Sequence, residues 1–181
     1  GSEAEIEDQL ARIRAIAEAH DPMDFRESRS PEESAAIWLG RKSAFGAMGQ
    51  LGDYICLDGV VPVAALPEVL RRTGELAKAY GLQVANVFHA GDGNLHPLIL
   101  HDANTPGELE KAEALGAELL KLCVELGGCL SGEHGVGIEK RDLMGHQYAP
   151  ADLAQQMDVK DAFDPRWLLN PAKVFPLADS A

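Results

Sequence analysis

The sequence predicts an α+β fold in which one antiparallel sheet carries helices on one face. Two observations predict it. Residues with high β propensity cluster in short runs, and apolar residues recur at helical spacing between those runs. Taken in order, the predicted elements are a strand at 54–61, a helix at 65–80, strands at 82–89 and 95–101, a helix at 105–126 and a strand at 129–131. This β-α-β-β-α-β order is the ferredoxin-like split βαβ arrangement.

Helices are also predicted before and after these elements in the sequence. Residues 3–19 place Ile6, Leu10 and Ile13 at helical spacing among charged residues, which is typical of an amphipathic helix. Ser30 and the proline after it begin a second helix, which we expect to end near the glycines at 46 and 49. The first strand could contain a bulge at Gly59. Short helices are expected near 138–145 and 151–163.

The composition fits a single domain with a hydrophobic core. Of 181 residues, 46% are hydrophobic. The first two residues, glycine and serine, resemble an expression scar, so we expect residues 3–181 to be a piece of a longer chain. The net charge of −13 argues against binding to nucleic acid or to an acidic membrane surface. No apolar run approaches the ~20 residues of a membrane span. Three cysteines without a CxxC pair favour the reducing cytoplasm.

Two histidines flank a predicted hairpin turn. Residues 91–94 read Gly-Asp-Gly-Asn, which suits a four-residue loop. That loop would pair Ala90 with Leu95 and set His89 directly opposite His96. Directly opposed residues share a face with Cβ atoms ~5 Å apart, so the two imidazoles could bind one divalent metal.

A second glycine-rich stretch, residues 131–137, offers Glu133 and His134. Two histidines and a carboxylate form a common open metal site, so we expect Glu133 to be the third ligand. His134 would then point elsewhere and be free for proton transfer. The donor set suits zinc, with manganese or iron as alternatives. The competing interpretation is two buried histidines that are satisfied by backbone groups.

Arg41 lies late in the second predicted helix. Its guanidinium could bind a substrate carboxylate, or it could simply be a favourable cation near a helix C-terminus. Asn94 could reach a ligand, although turn chemistry alone explains it. The glycines of 131–137 could bind an anion or could only make the loop flexible. The chain contains no GxGxxG or GxxxxGK[ST] motif, so a nucleotide site within it is unsupported.

Three stretches together resemble one family: residues 87–97 (VFHAGDGNLHP), residues 131–137 (SGEHGVG) and the tail 164–171. They are similar to the C-terminal part of FAD-linked oxidases. That family contains D-lactate dehydrogenases, D-2-hydroxyglutarate dehydrogenases and the FAD-linked subunit of glycolate oxidase, and the resemblance is greatest to the last. It covers nearly the whole chain.

The resemblance implies a cap domain of a FAD-dependent 2-hydroxy-acid dehydrogenase, in which hydride passes from the substrate to the flavin. The FAD-binding domain is expected to be absent from this chain, which alone should be inactive. In metal-using relatives the residues matching His89, His96 and Glu133 hold a divalent ion, often zinc. The residue matching His134 is the candidate base, and the one matching Arg41 holds the carboxylate.

The resemblance also implies partners and further site residues. We expect Asn94 and Asn170 to face the flavin. The partners would be a small 2-hydroxy acid, the FAD-binding domain, a second flavin-binding subunit and an iron–sulfur subunit. Through those subunits the protein could lie peripherally on the inner membrane.

One departure from the family pattern bears on the substrate. Relatives that act on D-2-hydroxyglutarate place lysine where this chain has Cys56 and asparagine where it has Leu98. The loss of both polar groups implies a small monocarboxylate such as glycolate or D-lactate. Two other functions remain open from the residues alone. They are a self-contained metal-dependent hydrolase and a non-catalytic interaction module with purely structural histidines.

Overall fold

The computed structural model describes residues 1–176, which form two compact units divided between Ala44 and Phe45. The first unit contains helix α1 (Glu3–Glu18) and most of helix α2 (Pro31–Met48). The Ser2 hydroxyl accepts the Glu5 N–H and the Glu5 carboxylate accepts the Ser2 N–H, so both groups cap the start of α1. Neither helix contains a buried side chain among the described residues.

The second unit contains the predicted sheet. Its main elements are β1 (Asp53–Cys56), β2 (Gly59–Val60), α3 (Leu66–Tyr80), β3 (Gln83–His89), β4 (Asn94–His101) and α4 (Glu108–Glu125). β4 is central and antiparallel to its neighbours, with β3 on one side and β1 and β2 on the other. β1 and β2 are two parts of one strand, because both pair with β4 in the same register. The predicted α+β class is confirmed.

The interruption between β1 and β2 is not the expected bulge at Gly59. Cys56 pairs with Leu98 and Gly59 pairs with Leu95, so both strands advance by three residues. The ladder breaks because Pro97 has no N–H to donate, although the Leu57 N–H still reaches its carbonyl oxygen at 3.0 Å.

The last predicted strand, 129–131, is reduced to a single bridge between Cys129 and Val60. Beyond Ser131 the chain turns away from the ladder. The N–H groups of the next three residues donate to the Asp58 side chain, and the Gly132 N–H also reaches the Asp58 carbonyl oxygen at 3.1 Å.

The hairpin register differs from the prediction by two residues on one strand. His89 pairs with Asn94, and Val87 pairs with His96, so the loop spans residues 90–93. Gly93, the last residue of the loop, lies in the left-handed region at φ +71°, and its carbonyl accepts the Val61 N–H at 3.0 Å. His89 and His96 are therefore diagonal neighbours. They still share a face, because an even shift preserves the side-chain alternation.

Helices α3 and α4 cover one face of the sheet. Leu95 and Ile99 point to that face and pack into two hydrophobic clusters with residues of α4. Alternation along β4 places Asn94 and His96 on the opposite face. After α4 come a 3-10 turn (Arg141–Leu143), helix α5 (Met144–Gln147) and helix α6 (Pro150–Phe163). The short helix expected near 138–145 thus begins three residues later than predicted.

Candidate functional site

His96 is the most firmly held member of a histidine cluster on the face away from α3 and α4. Only 3% of the residue is exposed, and the Phe45 ring packs edge-on at 6.4 Å between centroids. Its Nδ1 lies 3.0 Å from the carbonyl oxygen of Leu57. A carbonyl oxygen can only accept, so Nδ1 carries a proton, and in the neutral ring this leaves Nε2 with a lone pair that faces the cluster.

Asp58 determines the shape of the loop that carries Glu133 and His134. Its side chain is fully buried at the interruption of the first strand. Its oxygens accept hydrogen bonds from the N–H groups of Gly132 (3.0 Å), Glu133 (3.0 Å) and His134 (2.9 Å), from the Ser131 hydroxyl (2.8 Å) and from Lys140 Nζ (3.1 Å). One carboxylate thus fixes three consecutive residues of the loop backbone.

The same contacts control the ionisation of Asp58. Burial by itself raises the pKa of a carboxyl group. Here the hydrogen bonds from the His134 and Glu133 N–H groups, the Ser131 hydroxyl and Lys140 outweigh burial, so the pKa of Asp58 lies well below its usual range. Asp58 is therefore charged at neutral pH, and Lys140, itself buried, supplies the opposite charge.

Three imidazoles surround one oxygen of Glu133. Glu133 Oε1 lies 3.0 Å from His96 Nε2, 3.8 Å from His89 Nε2 and 3.9 Å from His134 Nε2. The His134 ring stacks on His96 at 5.1 Å between centroids, and the His89 ring meets His96 edge-on at 5.4 Å. The side chains of His89, Glu133 and His134 are each about half exposed, so the cluster opens to solvent.

This donor set needs a positive charge at its centre. The His96 Nε2 lone pair and a Glu133 carboxylate oxygen are both acceptors, so their 3.0 Å separation requires a shared proton or a cation. Two ligands ~2.1 Å from a tetrahedral zinc ion would lie roughly 3.4 Å apart. The three Nε2–Oε1 distances, from 3.0 to 3.9 Å, bracket that value. A metal-bound histidine also usually donates its other N–H to a carbonyl or carboxylate, as His96 does.

The expected ligands lie together, with two differences from the sequence-based geometry. His134 does not point away from the others, because the Asp58 contacts turn its backbone toward His96. The atoms of Asp58, His96, Glu133 and His134 that could bind a metal all lie within 4.8 Å of one another, as do those of Cys56, His96 and His134. His89 belongs to neither group, although its ring meets His96 edge-on and its Nε2 lies 3.8 Å from Glu133 Oε1.

The remaining predicted site residues are Asn94, Asn170 and Arg41. Asn94 is buried, and its Oδ1 has no hydrogen-bond partner among the described residues. Asn170 is exposed in the segment after α6, where it adopts φ +47°. Arg41 is exposed on α2 and belongs to the first unit.

Asp58 and Lys140 were not anticipated from the sequence. Asp58 falls within a predicted strand, and Lys140 lies 82 residues further along the chain, so no local pattern links them. The available signal was an aspartate within a β-rich run, since fully buried aspartates are rare unless paired.

Comparison with known proteins places this arrangement in a family. The family described as "FAD linked oxidases, C-terminal domain" matches residues 1–174. The glycolate oxidase subunit GlcD of Escherichia coli (strain K12) is 48% identical over 177 residues, which are 97% of this chain and 36% of that protein. The subunit of the same name from Bacillus subtilis (strain 168) is 33% identical over 171 residues, 94% of this chain and 36% of that protein.

A more distant relative carries a different name. The mitochondrial D-lactate dehydrogenase [cytochrome] of Arabidopsis thaliana is 30% identical over 179 residues, 97% of this chain and 32% of that protein. The chain thus spans about a third of the length of these relatives. None of the helices in residues 1–176 is both long and apolar enough to cross a membrane. The chain belongs to the family of FAD-linked oxidases, whose C-terminal domain it matches.

Proposed function

We propose that this chain is the substrate- and metal-binding part of a FAD-dependent dehydrogenase that oxidises a small 2-hydroxy monocarboxylate such as glycolate or D-lactate. The observation that carries the proposal is the pair formed by His96 Nε2 and Glu133 Oε1, 3.0 Å apart with Nδ1 bound to a carbonyl. Membership of the FAD-linked oxidases supports the redox chemistry. The names of the relatives, glycolate oxidase subunit and D-lactate dehydrogenase, support the substrate class.

In this proposal His89, His96 and Glu133 hold a divalent ion, with zinc as the first candidate and manganese or iron as alternatives. Such an ion supplies Lewis acidity, which lowers the pKa of a coordinated hydroxyl group. His96 enters the site in a single tautomer, because Leu57 fixes its Nδ1 proton. The open side of the cluster leaves room for the substrate hydroxyl and carboxylate.

His134 is the proposed general base. Its ring stacks on His96 and is half exposed, so its Nε2 can reach both the cluster and a bound substrate. In the proposed reaction this nitrogen would take the hydroxyl proton, and bound FAD would supply the acceptor for the hydride of the α-carbon. Arg41 is the proposed partner of the substrate carboxylate, because a guanidinium can bind both of its oxygens.

Cys56 and Leu98 support a monocarboxylate substrate. They are opposite each other in the pairing of β1 with β4, and Cys56 lies within metal-ligand spacing of His96 and His134. Neither side chain carries a charge that could bind a second carboxylate. Asn94 and Asn170 remain the residues proposed to face the flavin.

The rest of the proposal concerns the longer protein. The chain spans about a third of its relatives' length, so we propose that FAD is bound mainly by a separate domain. The printed name "glycolate oxidase subunit" supports further subunits, for which a second flavin protein and an iron–sulfur protein are the candidates. We propose a cytoplasmic location, peripheral to the inner membrane where those subunits attach. The chain alone, with added FAD and an artificial acceptor, should not oxidise glycolate.

Metal content tests the site directly. Protein prepared without a nickel column or chelator would be analysed by elemental mass spectrometry as wild type, His96→Ala and His146→Ala. His146 is exposed on α5, outside the cluster, and provides the matched control. We expect about one divalent ion per chain in the wild type and the control, and its loss in His96→Ala. Equal metal content in all three proteins, or none in any, would refute the metal site.

A further inference from the structure

Leu57 and Asp58, the two residues between β1 and β2, hold different members of the histidine cluster. The Leu57 carbonyl accepts the His96 ring N–H at 3.0 Å. The Asp58 carboxylate accepts the backbone N–H groups of Glu133 and His134 at 3.0 and 2.9 Å. His96, Glu133 and His134, which are far apart in the sequence, are thereby all held by one short segment of the sheet.

The hydrogen bonds to the Asp58 carboxylate use the lone pairs that a metal ligand would need to keep free. A carboxylate offers about four lone-pair positions. Oδ2 accepts from Ser131, Gly132, His134 and Lys140, and the Glu133 N–H is shared between Oδ1 at 3.0 Å and Oδ2 at 3.1 Å. Both oxygens are thus engaged by protein donors, and the side chain is fully buried. Its position within 4.8 Å of the cluster therefore indicates support of the ligands rather than coordination.

Lys140 supplies the charge that balances this carboxylate inside the protein. Its ammonium group donates to Asp58 Oδ2 at 3.1 Å and to Ser131 Oγ at 3.0 Å, and only 5% of its side chain is exposed. An ionised acceptor makes stronger hydrogen bonds to backbone N–H groups than a neutral one. The charge pair thus strengthens the bonds that hold the loop.

We propose that Asp58, charge-balanced by Lys140, is a positioning residue that aims Glu133 and His134 at His96. This inference rests on the proposed metal and base roles of those residues. Asp58 acts through the loop backbone and touches neither substrate nor metal. Removing its charge should loosen residues 132–134 and misplace the Glu133 carboxylate.

A purely structural role for the Asp58–Lys140 pair makes a different prediction. Asp58→Asn keeps the side-chain shape but leaves Lys140 buried without its counter-charge. The double variant Asp58→Asn/Lys140→Met removes both charges and should recover stability lost through that imbalance. It should not recover the loop, because one amide oxygen replaces two carboxylate oxygens and the amide NH₂ opposes N–H donors.

The first measurement needs no metal. Amide hydrogen exchange, followed by NMR on metal-free protein, would report residues 132–134 in the wild type, Asp58→Asn, the double variant and Glu139→Gln. Glu139 is exposed on the same segment as Lys140 and controls for the loss of one negative charge. We expect slow exchange in the wild type and in Glu139→Gln, and at least tenfold faster exchange in both Asp58 variants. Unchanged exchange in folded Asp58→Asn would overturn the inference.

The second measurement is a cobalt(II) titration followed by visible absorption, with the melting temperature measured in parallel. Loss of a residue that supports a ligand typically weakens metal binding 10–100-fold. We expect that loss, with an altered cobalt spectrum, in both Asp58 variants, including a double variant whose melting temperature has recovered. Wild-type cobalt affinity and spectrum in the double variant would overturn positioning. If the wild-type chain binds no cobalt, the proposed metal site is wrong, and exchange alone decides whether Asp58 holds the loop.

Discussion

Replacing Gly93 with alanine tests the hairpin geometry that brings His89 and His96 together. Gly93 is the last residue of the loop and adopts φ +71°, where side chains are strained. A Cβ there would lie 2.0 Å from the carbonyl oxygen of Val61 and 3.2 Å from its carbonyl carbon. Both atoms are backbone, so no side-chain rotation relieves the overlap. β4 or the segment after β2 must move.

Three costs add up in Gly93→Ala. The left-handed conformation costs a residue with a Cβ about 1 kcal/mol. Overpacking against a buried neighbour costs about 1–3 kcal/mol. Displacement weakens the bond from the Val61 N–H to the Gly93 carbonyl, worth about 1 kcal/mol. We therefore expect the free energy of unfolding to fall by about 3–5 kcal/mol, a large share of the total for a typical domain.

Gly91→Ala is the matched control, because it changes the same loop two residues earlier. Nothing lies within 4 Å of a Cβ at Gly91, and its φ is outside the left-handed region. We expect a change within about 0.5 kcal/mol, or a slight gain from a less flexible unfolded chain. Urea denaturation followed by circular dichroism measures both variants. Unfolding free energies within about 1 kcal/mol of each other would refute the register and the close approach to Val61.

Two further predictions concern ionisation. The folded pKa of Asp58 lies below its unfolded value of about 4, so the stability it contributes is fully present above that value and is lost as the pH falls through the folded pKa. The difference in unfolding free energy between wild type and Asp58→Asn should therefore be constant from about pH 7 to 5 and shrink below about 4; a difference that grows on acidification would contradict this. Burial raises the pKa of Cys123 to about 12, so only about one in ten thousand of its thiols is ionised at pH 8. A thiol reagent should label at most Cys56 and Cys129 in the folded protein, and early labelling of Cys123, read by peptide mass spectrometry, would show that the α4 packing is wrong.

Local periodicity predicted the order of the elements apart from the last strand, 129–131, because each element depends on residues close in sequence. Local periodicity could not predict the hairpin register. Residues 90–93 and 91–94 are both four-residue loops rich in glycine, and both keep His89 and His96 on one face. The choice between them depends on the contact of Gly93 with Val61, a residue of the segment that follows β2. Side-chain alternation cannot separate registers that differ by an even number.

The residues of the candidate site could be predicted from the sequence, but the residue that holds their loop in place could not. His89, His96, Glu133 and His134 were found because their residue types suit metal binding. The role of Asp58 was not predicted, because its partners lie 73 to 82 residues away and are mostly backbone N–H groups. Main-chain donors leave no residue-type signature.

The absent N–H of Pro97 has a consequence for how this protein tolerates mutation. At this position the ladder would direct a backbone donor to the Leu57 carbonyl, and proline leaves that acceptor to the His96 ring. The protonation pattern of the histidine is thus specified by a main-chain oxygen, which every residue type provides. The side chain of Leu57 packs in the hydrophobic core and takes no part in this bond. Position 97 bears a constraint that its own side chain, which points to the opposite face of the sheet from His96, would not suggest.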